Sequence, residues 1–120
     1  MNSSLTRIIH EANRVLINEG DLSALESFFT ADYIVHLTGR DTKSGYTAIR
    51  SILTKLWESF PDVTVEIEVF LEGENRIAWQ RTFSGTHRKA FQGFPATNLQ
   101  MIWRDMVSSE TRDGLIAEEW

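Results

Sequence analysis

The sequence predicts a single α+β domain, with helices in the first half of the chain and antiparallel strands in the second. Two observations support this prediction. Apolar residues recur at intervals of three and four positions as far as Phe60, whereas from Val63 to Leu71 they alternate with polar residues. Such a separation favours three helices covering one face of a strongly curved, antiparallel or mixed sheet, rather than alternating βαβ units.

Three helices are predicted. The first spans residues 3–20, with Ser3 or Ser4 as the N-cap residue and Gly20 at its end. Asp21 is expected to cap a short second helix, whose apolar side comprises Leu22, Leu25, Phe28 and Phe29. The third helix shows the strongest periodicity and ends before Pro61, because proline disfavours helical backbone at the preceding residue. Its apolar stripe comprises Tyr46, Ile49, Ile52, Leu53, Leu56, Trp57 and Phe60.

The predicted strands lie mainly after Pro61. A short β-rich run covers residues 31–38 and is followed by a polar loop at residues 39–45. Further strands are expected over residues 63–71, 76–87, about 99–110 and 115–120. Turns at residues 72–75 and 112–114, and a loop containing Gly93 and Pro95, would connect them.

Composition restricts the class of protein. The 120 residues carry a formal charge of −5 and include no cysteine, which excludes disulfides, thiolate nucleophiles and cysteine-ligated zinc. No apolar run approaches the ~20 residues that would cross a bilayer, and no secretory leader is visible, so we expect a cytoplasmic protein. Net acidity argues against nucleic acid as a partner, because such binding depends on clustered Lys and Arg.

Six short stretches stand out by their sequence and their order: residues 20–25, 32–36, 60–62, 85–87, 91–97 and 113–120. Together they resemble the SnoaL-like polyketide cyclases, or ester cyclases, of the NTF2-like superfamily, over nearly the whole chain. The resemblance implies a cone-shaped sheet around helices, an apolar pocket and a homodimer formed through the outer sheet face. Relatives cyclise polyketides by aldol chemistry, isomerise, dehydrate, open epoxides or only bind ligands, so the fold alone does not fix the function.

Two departures from the family pattern have structural consequences. Asn98 stands where the family has a glycine after the threonine of its loop motif, and asparagine tolerates positive φ better than most residues, so we expect the turn to survive. Relatives usually carry a further segment beyond the position of Trp120, which would be expected to help close the pocket.

Asp105 is the main candidate for an acid–base residue. Met101, Trp103 and Val107 share its alternation phase, which would direct the carboxylate toward an apolar surface. The resemblance implies an acid–base aspartate on this part of the sheet. The alternative is that Asp105 pairs with Arg81 or Arg104, or faces solvent at a dimer contact.

Two histidines are candidates for orienting a substrate carbonyl. His36 ends the first short strand and His87 lies in the Gly-Thr-His motif, and histidine can donate to a developing oxyanion. The alternative is a packed or loop-capping histidine in each case. No metal site is expected, because the chain has no helical His-x-x-x-His pair and His10 lies outside any motif.

Arg81 interrupts the apolar phase of its strand as Asp105 interrupts its own, which invites a pairing of the two. An inward Arg–Asp pair resembles limonene-epoxide hydrolase, a relative in which carboxylates and an arginine activate water and protonate an epoxide. That reaction requires a second carboxylate, which the sequence does not identify. A purely structural ion pair is the alternative.

A set of aromatic residues would suit a polycyclic or terpenoid ligand, although most of them must belong to the ordinary core. Trp57, Phe91 and Trp103 are expected to face the pocket. The full candidate set for substrate binding adds Tyr33, Phe60, Trp79 and Phe94.

The leading hypothesis is therefore a small-molecule enzyme that needs no cofactor. Asp105 would act as general acid and base on a polycyclic or ester or ketone substrate, in an aldol-type cyclisation or an isomerisation. The alternatives are a non-catalytic ligand-binding or dimerisation module, favoured by a filled interior beside Asp105, and an epoxide hydrolase.

Overall fold

A computed structural model of the chain describes residues 4–37, 39 and 42–120. The helical segments are α1 (Ser4–Asn13) with a π-helical continuation at Arg14–Asn18, a 3₁₀ turn at Leu22–Ala24, α2 (Leu25–Phe28) and α3 (Gly45–Ser59). The strands are β1 (Phe29–Val35), β2 (Lys43–Ser44), β3 (Thr64–Glu72), β4 (Arg76–Thr86), β5 (Gln100–Arg112) and β6 (Leu115–Glu119). The predicted N-cap Ser3 lies outside the described residues, as do Thr38, Arg40 and Asp41 of the predicted strand and loop.

The six strands form one mixed sheet in the order β2-β1-β6-β5-β4-β3. Among the described residues, the β1–β6 pair is parallel and the other neighbouring pairs are antiparallel. Helices therefore precede most of the sheet in the chain and pack on it, which confirms the predicted α+β class. The parallel pairing brings the last strand beside the first, a contact that the order of elements does not reveal.

Two predicted boundaries are wrong. Phe29 was expected on the second helix, but its backbone is extended at φ −124° and ψ 148°, so α2 is a single turn and Phe29 begins β1. Edge-on packing of Phe29 against Tyr33, with ring centroids 4.8 Å apart, favours this strand position. The first helix also does not run regularly to Gly20, since it widens into the π-helical turn after Asn13.

The core lies between the concave face of the sheet and the helices. Ile77, Trp79 and Phe83 alternate along β4 and are each at most 6% exposed, so this strand supplies one side of the core. The other side is the apolar stripe of α1 and α3, including Ile9 and Leu53. Each large apolar side chain buried here stabilises the fold by about 1.5–3 kcal/mol.

Two of the sequence motifs meet at the corner where α3 ends. Asp62 accepts hydrogen bonds from the Thr86 backbone N–H at 2.7 Å and from Thr86 Oγ1 at 2.8 Å. These bonds lower the pKa of Asp62 below its usual value. Gly85 lies so close that an added Cβ would be 3.1 Å from Phe60 Cβ and 3.3 Å from Val63 Cα. These contacts hold residues 60–62 against residues 85–87, so both sequence motifs have a structural role at this corner.

Candidate active site

A cavity of about 610 Å³ opens between α3, the end of β1 and the concave face of the central strands. Its wall on the sheet side carries Arg81, Asp105, Val107 and Glu119. The helix side and the mouth carry Ser51, Ile52, Lys55, Glu58, Phe91 and Lys43. The space next to Asp105 is therefore large enough for a small organic molecule and is bordered by both charged and apolar side chains.

A second, deeper cavity of about 120 Å³ lies behind the first, toward α1. Its lining is mostly apolar and includes Ile9, Leu16, Tyr33 and Trp79. Arg81 and Glu119 line both cavities, so these two polar side chains stand where the larger space meets the inner one.

Arg81 and Asp105 form the ion pair that the sequence predicts. They face each other in the β4–β5 register, and two parallel bonds join them: Arg81 Nε to Asp105 Oδ1 at 3.2 Å and Arg81 Nη2 to Asp105 Oδ2 at 2.9 Å. The Arg81 side chain is 23% exposed and that of Asp105 is 42% exposed. The carboxylate is thus fixed in orientation by a bidentate pair and still open to the cavity.

Arg81 is held from three further directions. Its Nη1 donates to Asn13 Oδ1 at 3.2 Å, and its guanidinium carbon lies 4.7 Å from the Phe83 ring centroid and 5.2 Å from that of Trp79. Asn13 is 6% exposed, and its Nδ2 donates to Ile9 O at 2.9 Å. The π-helical turn begins directly after Asn13, and such turns are frequent next to functional sites.

Glu119 is the second carboxylate of the site, although the sequence pattern does not mark it as a candidate. Tyr33 Oη donates to Glu119 Oε1 at 2.7 Å and Ser109 Oγ donates to Glu119 Oε2 at 2.5 Å. Trp79 Nε1 in turn donates to Ser109 Oγ at 2.9 Å. Burial, and then the nearby Glu119 carboxylate, raise the pKa of Tyr33 far above its usual value. Tyr33 therefore stays a hydrogen-bond donor at neutral pH.

A β-bulge explains why Glu119 was missed. The β5–β6 register shifts between Glu110 and Thr111, so that Thr111 faces Ile116 while Ser109 faces Glu119. Both Ile116 and Glu119 consequently line the deeper cavity, although strict alternation would place residues three apart on opposite faces. Only the regular part of the β-strand pattern is readable from the sequence.

His36 borders the larger cavity just beyond the end of β1. Its Nε2 lies 2.6 Å from Glu118 Oε2, and its ring is stacked on Trp120 with the centroids 5.2 Å apart. Because neighbouring residues of a strand face opposite sides, Glu118 points away from Glu119. The His36 ring is thus anchored at the rim, apart from the wall that carries Arg81.

His87 lines neither of these two cavities. It is 3% exposed, its ring is stacked on Phe60 at 5.1 Å, and Nδ1 lies 3.3 Å from Thr97 Oγ1. Its backbone N–H donates to Leu99 O, and its carbonyl accepts from the Asn98 N–H. These contacts match the alternative of a packed histidine that anchors the loop after β4. Asn98 has φ 58°, which confirms the expected positive φ at this position.

The candidate aromatic residues separate into three groups. Phe91 lines the larger cavity, and Tyr33 and Trp79 line the deeper one. Trp103 was expected to face the pocket, but its ring packs between Phe60 at 4.6 Å and Phe83 at 4.8 Å because it lies opposite Phe83 in the β4–β5 register. The remaining candidates line neither cavity: Phe60 is a core residue, Trp57 packs against the core and Phe94 is 70% exposed.

The described part of the chain contains no group of three or more His, Asp or Glu side chains arranged to hold a metal ion. None of its helices is both long and apolar enough to span a membrane. The chemistry that the site itself offers is that of two carboxylates, a guanidinium and a phenol.

Several solved structures share this fold. TsrD from Streptomyces laurentii matches with a TM-score of 0.85 at 20% identity, covering 100% of this chain and 87% of that chain. IdmH from Streptomyces antibioticus matches with a TM-score of 0.82 at 23% identity. This match covers 99% of the present chain and 90% of IdmH. A SnoaL-like polyketide cyclase from Agrobacterium tumefaciens matches with a TM-score of 0.82 at 21% identity. This match covers 100% of the present chain and 90% of that protein. At such identities the likeness concerns the fold.

The sequence itself gives the family. No curated protein sequence matches the chain significantly. The family model of the SnoaL-like polyketide cyclases, however, matches residues 7–120. This match includes α3, the curved sheet and the charged site residues Arg81, Asp105 and Glu119. The chain therefore belongs to the SnoaL-like polyketide cyclase family.

Proposed function

We propose that the protein is a small-molecule enzyme that forms an enolate and closes a ring by intramolecular aldol chemistry, or isomerises a related ketone or ester. One observation carries the proposal: the Arg81–Asp105 pair lies on the wall of a cavity of about 610 Å³. Family membership and the name of the Agrobacterium relative point to the same chemistry.

The pair can supply both groups that enolate formation needs. Asp105 accepts the proton from the carbon next to a substrate carbonyl, and the C–H electron pair moves into the enolate. The enolate carbon then attacks a second carbonyl of the same molecule, forming the new C–C bond. Asp105 returns its proton to the resulting alkoxide, so the overall reaction is an isomerisation without an external reductant or oxidant.

Arg81 can stabilise the oxyanion that forms in this step. A guanidinium has five N–H donors, and three are used in the bonds to Asp105 and Asn13. The other two are available for a substrate oxygen, and a donor already fixed in place costs no reorganisation during the reaction. His36, at the rim, is a candidate for holding a more distant carbonyl.

Proton exchange tests the proposal without knowledge of the substrate. Aromatic β-keto esters and 1,3-diketones are incubated in D₂O, and loss of the α-proton signal is followed by ¹H NMR. We expect Asp105→Asn to lower the enzyme-dependent exchange rate about 100-fold or more while leaving the circular dichroism spectrum unchanged. Arg81→Lys should lower it less, since lysine keeps the charge but not the bidentate geometry.

Glu74→Gln is the matched control, because Glu74 is an exposed carboxylate in the turn between β3 and β4, outside the cavity. It should exchange the probes at the wild-type rate. An Asp105→Asn protein with unchanged exchange would contradict the role of Asp105. A wild-type protein that accelerates exchange of no probe would contradict enolate formation as the activity.

Glu119 favours epoxide hydrolysis as the second candidate. Two carboxylates and an arginine now line one space, which meets the requirement for activating water with one carboxylate and protonating the epoxide oxygen with another acid. Water adds to carbon, the C–O bond breaks and the product is a diol. The measurement is diol formation from limonene oxide and cyclohexene oxide, and Glu119→Gln should abolish it.

A filled interior beside Asp105 would favour the third hypothesis, that of a non-catalytic module. The space there is far larger than a few waters would need. This cavity supports ligand binding in every case, and the exchange assay separates binding from catalysis.

A further inference from the structure

The deeper cavity forms an apolar compartment behind the Arg81–Asp105 pair. Its volume is about 120 Å³, against about 610 Å³ for the larger cavity. Apolar side chains from both layers of the fold line it, including Ile9 from α1, Leu53 from α3 and Ile116 from β6. Each of these three side chains is at most 7% exposed, so an apolar group in this space would be removed from water.

The polar side chains on this lining are already paired with one another or with the core. Asn13 donates to Ile9 O and accepts from Arg81, while Tyr33 donates to Glu119. The donors still available are the two remaining N–H groups of Arg81, at the neck where the two cavities meet. A ligand group beyond this neck therefore finds mainly apolar contacts.

The neck divides a bound carbonyl compound in a defined way. Arg81 lines both cavities, whereas Asp105 lines the larger of the two. A carbonyl oxygen bound to Arg81 places the carbonyl carbon at the neck, and the α-carbon that Asp105 deprotonates must lie on the side of the larger cavity. The other substituent of the same carbonyl carbon then points into the deeper cavity.

The volume limits the size of that substituent. An apolar cavity of about 150 Å³ holds one benzene molecule, which has six carbon atoms. By the same ratio, the deeper cavity of about 120 Å³ holds about four or five carbon atoms. A fused ring system is too large for it and must stay in the larger cavity.

We propose that the deeper cavity binds a short alkyl or alkoxy chain attached to the carbonyl that Arg81 holds. The inference deepens the proposed function, on which it rests, by naming the substrate class. These substrates are ring-bearing ketones or esters whose reacting carbonyl carries a chain of up to about four or five carbons.

A series of chain lengths tests the inference. The probes are β-keto esters that share a naphthyl ketone end and differ in the ester chain, which is methyl, propyl, butyl, pentyl or heptyl. Isothermal titration calorimetry measures Kd. For the wild type we expect Kd to tighten about fourfold per added methylene, as for full burial of each group. The tightening should end at butyl or pentyl, where the cavity is full.

Two leucines on α3 provide a matched pair of variants. Leu53 lines the deeper cavity and is 7% exposed, whereas Leu56 lines neither cavity and is 6% exposed. Leu53→Ala enlarges the compartment, so the tightening should continue to heptyl. Leu56→Ala should keep the break at the wild-type chain length, although it also removes a buried leucine side chain. The comparison separates cavity size from a general loss of stability.

Ala12→Leu gives the opposite test and does not remove core volume. Ala12 lines the deeper cavity from α1, and a leucine there would fill part of the space. The break should move to propyl or shorter, with an unchanged circular dichroism spectrum. This variant decides the matter if Leu53→Ala does not fold.

Asp105→Asn separates the inference from the proposed function, because it should lose α-proton exchange yet keep the dependence of Kd on chain length. A wild type with this dependence but no exchange of any probe would contradict the proposed function alone. The inference is overturned if the wild type binds none of the probes, binds all equally or tightens steadily to heptyl. A wild-type break in folded Leu53→Ala and Ala12→Leu proteins would overturn it as well.

Discussion

Tyr33 shows how one residue links the core to the site. Its ring packs against Phe29 in the core, while its hydroxyl donates to Glu119 beside Arg81. Burial and the neighbouring carboxylate both oppose the phenolate, so the native state keeps Tyr33 protonated above the pH at which a free tyrosine ionises. The raised pKa means that its stabilising contribution is complete below about pH 10 and is lost as the pH rises further.

This pKa shift can be measured with Tyr33→Phe. The sequence holds two tyrosines, so in denaturant the variant should show half of the wild-type absorbance increase at about 295 nm between neutral pH and about pH 11. In the native state the two proteins should show equal increases, because Tyr33 does not ionise there. If the native proteins differ in their absorbance increase as much as the denatured proteins do, the pKa shift of Tyr33 is disproved.

We also expect Tyr33→Phe to lose about 1.5–3 kcal/mol of unfolding free energy, because Glu119 loses one of its two hydrogen-bond donors.

At the scale of elements, the corner between α3 and β4 explains two of the sequence motifs without chemistry. Asp62 fixes the β4 end through Thr86, and its lowered pKa has the opposite pH consequence to that of Tyr33. The stabilising contribution of Asp62 is present above its unfolded pKa near 4 and is lost as the pH falls through the lower folded value.

Asp62→Asn should therefore destabilise the protein at neutral pH, and the difference from the wild type should shrink toward about pH 3. Denaturant unfolding at both pH values gives the measurement. Asp113→Asn, in the exposed turn between β5 and β6, is the control and should change stability little at either pH. A difference that is the same at both pH values would show that the charge of Asp62 does not contribute.

Close packing at the same corner gives a second prediction. Gly85→Ala places a methyl group 3.1 Å from Phe60 Cβ and 3.3 Å from the Val63 backbone, so the chain must move, and we expect a loss of about 1–3 kcal/mol. Gly73→Ala is the matched control, since its nearest neighbour is Arg76 O at 3.4 Å. The two variants are compared by thermal and denaturant unfolding. Equal stability of the two would refute the packing argument.

The sequence predicted regular elements well and their interruptions poorly. Periodicity located α3 and the long strands β3, β4 and β5 to within a few residues, because over much of each element less exposed positions recur with the period of a helix or of a strand. The π-helical turn after Asn13 and the bulge at Glu110 break those periods. Glu119 became a site residue through the bulge, whereas Asn13 lies on the regular buried face of α1, four residues after Ile9, and only the folded structure shows that it meets Arg81.

At the scale of the molecule, the site is assembled from distant parts of the chain. Asn13 comes from α1, Arg81 from β4, Asp105 from β5 and Glu119 from β6. The Arg81–Asp105 pair was predictable because each residue breaks the apolar phase of its own strand. The contribution of Glu119 on β6 was not predictable in this way, because it depends on the parallel β1–β6 pairing and on the order of strands in the sheet.

The outer face of the sheet carries the last prediction, that a second copy of the chain covers it. Ile102 on β5 is 63% exposed, and Arg104 lies two residues further along the same face. Arg104, Thr82 and Glu66 form one row across β5, β4 and β3, so a two-fold arrangement can set Arg104 of each copy against Glu66 of the other.

We expect light scattering to give twice the chain mass of 13.8 kDa for the wild type and the single mass for Ile102→Asp. A carboxylate in place of this apolar side chain would be desolvated without a partner in the interface, which costs more free energy than the contact contributes. Leu71→Asp is the control, since Leu71 is 73% exposed at the end of β3, away from this row, and should remain a dimer. A monomeric wild type, or an Ile102→Asp variant that still forms the dimer, would contradict an interface on this face.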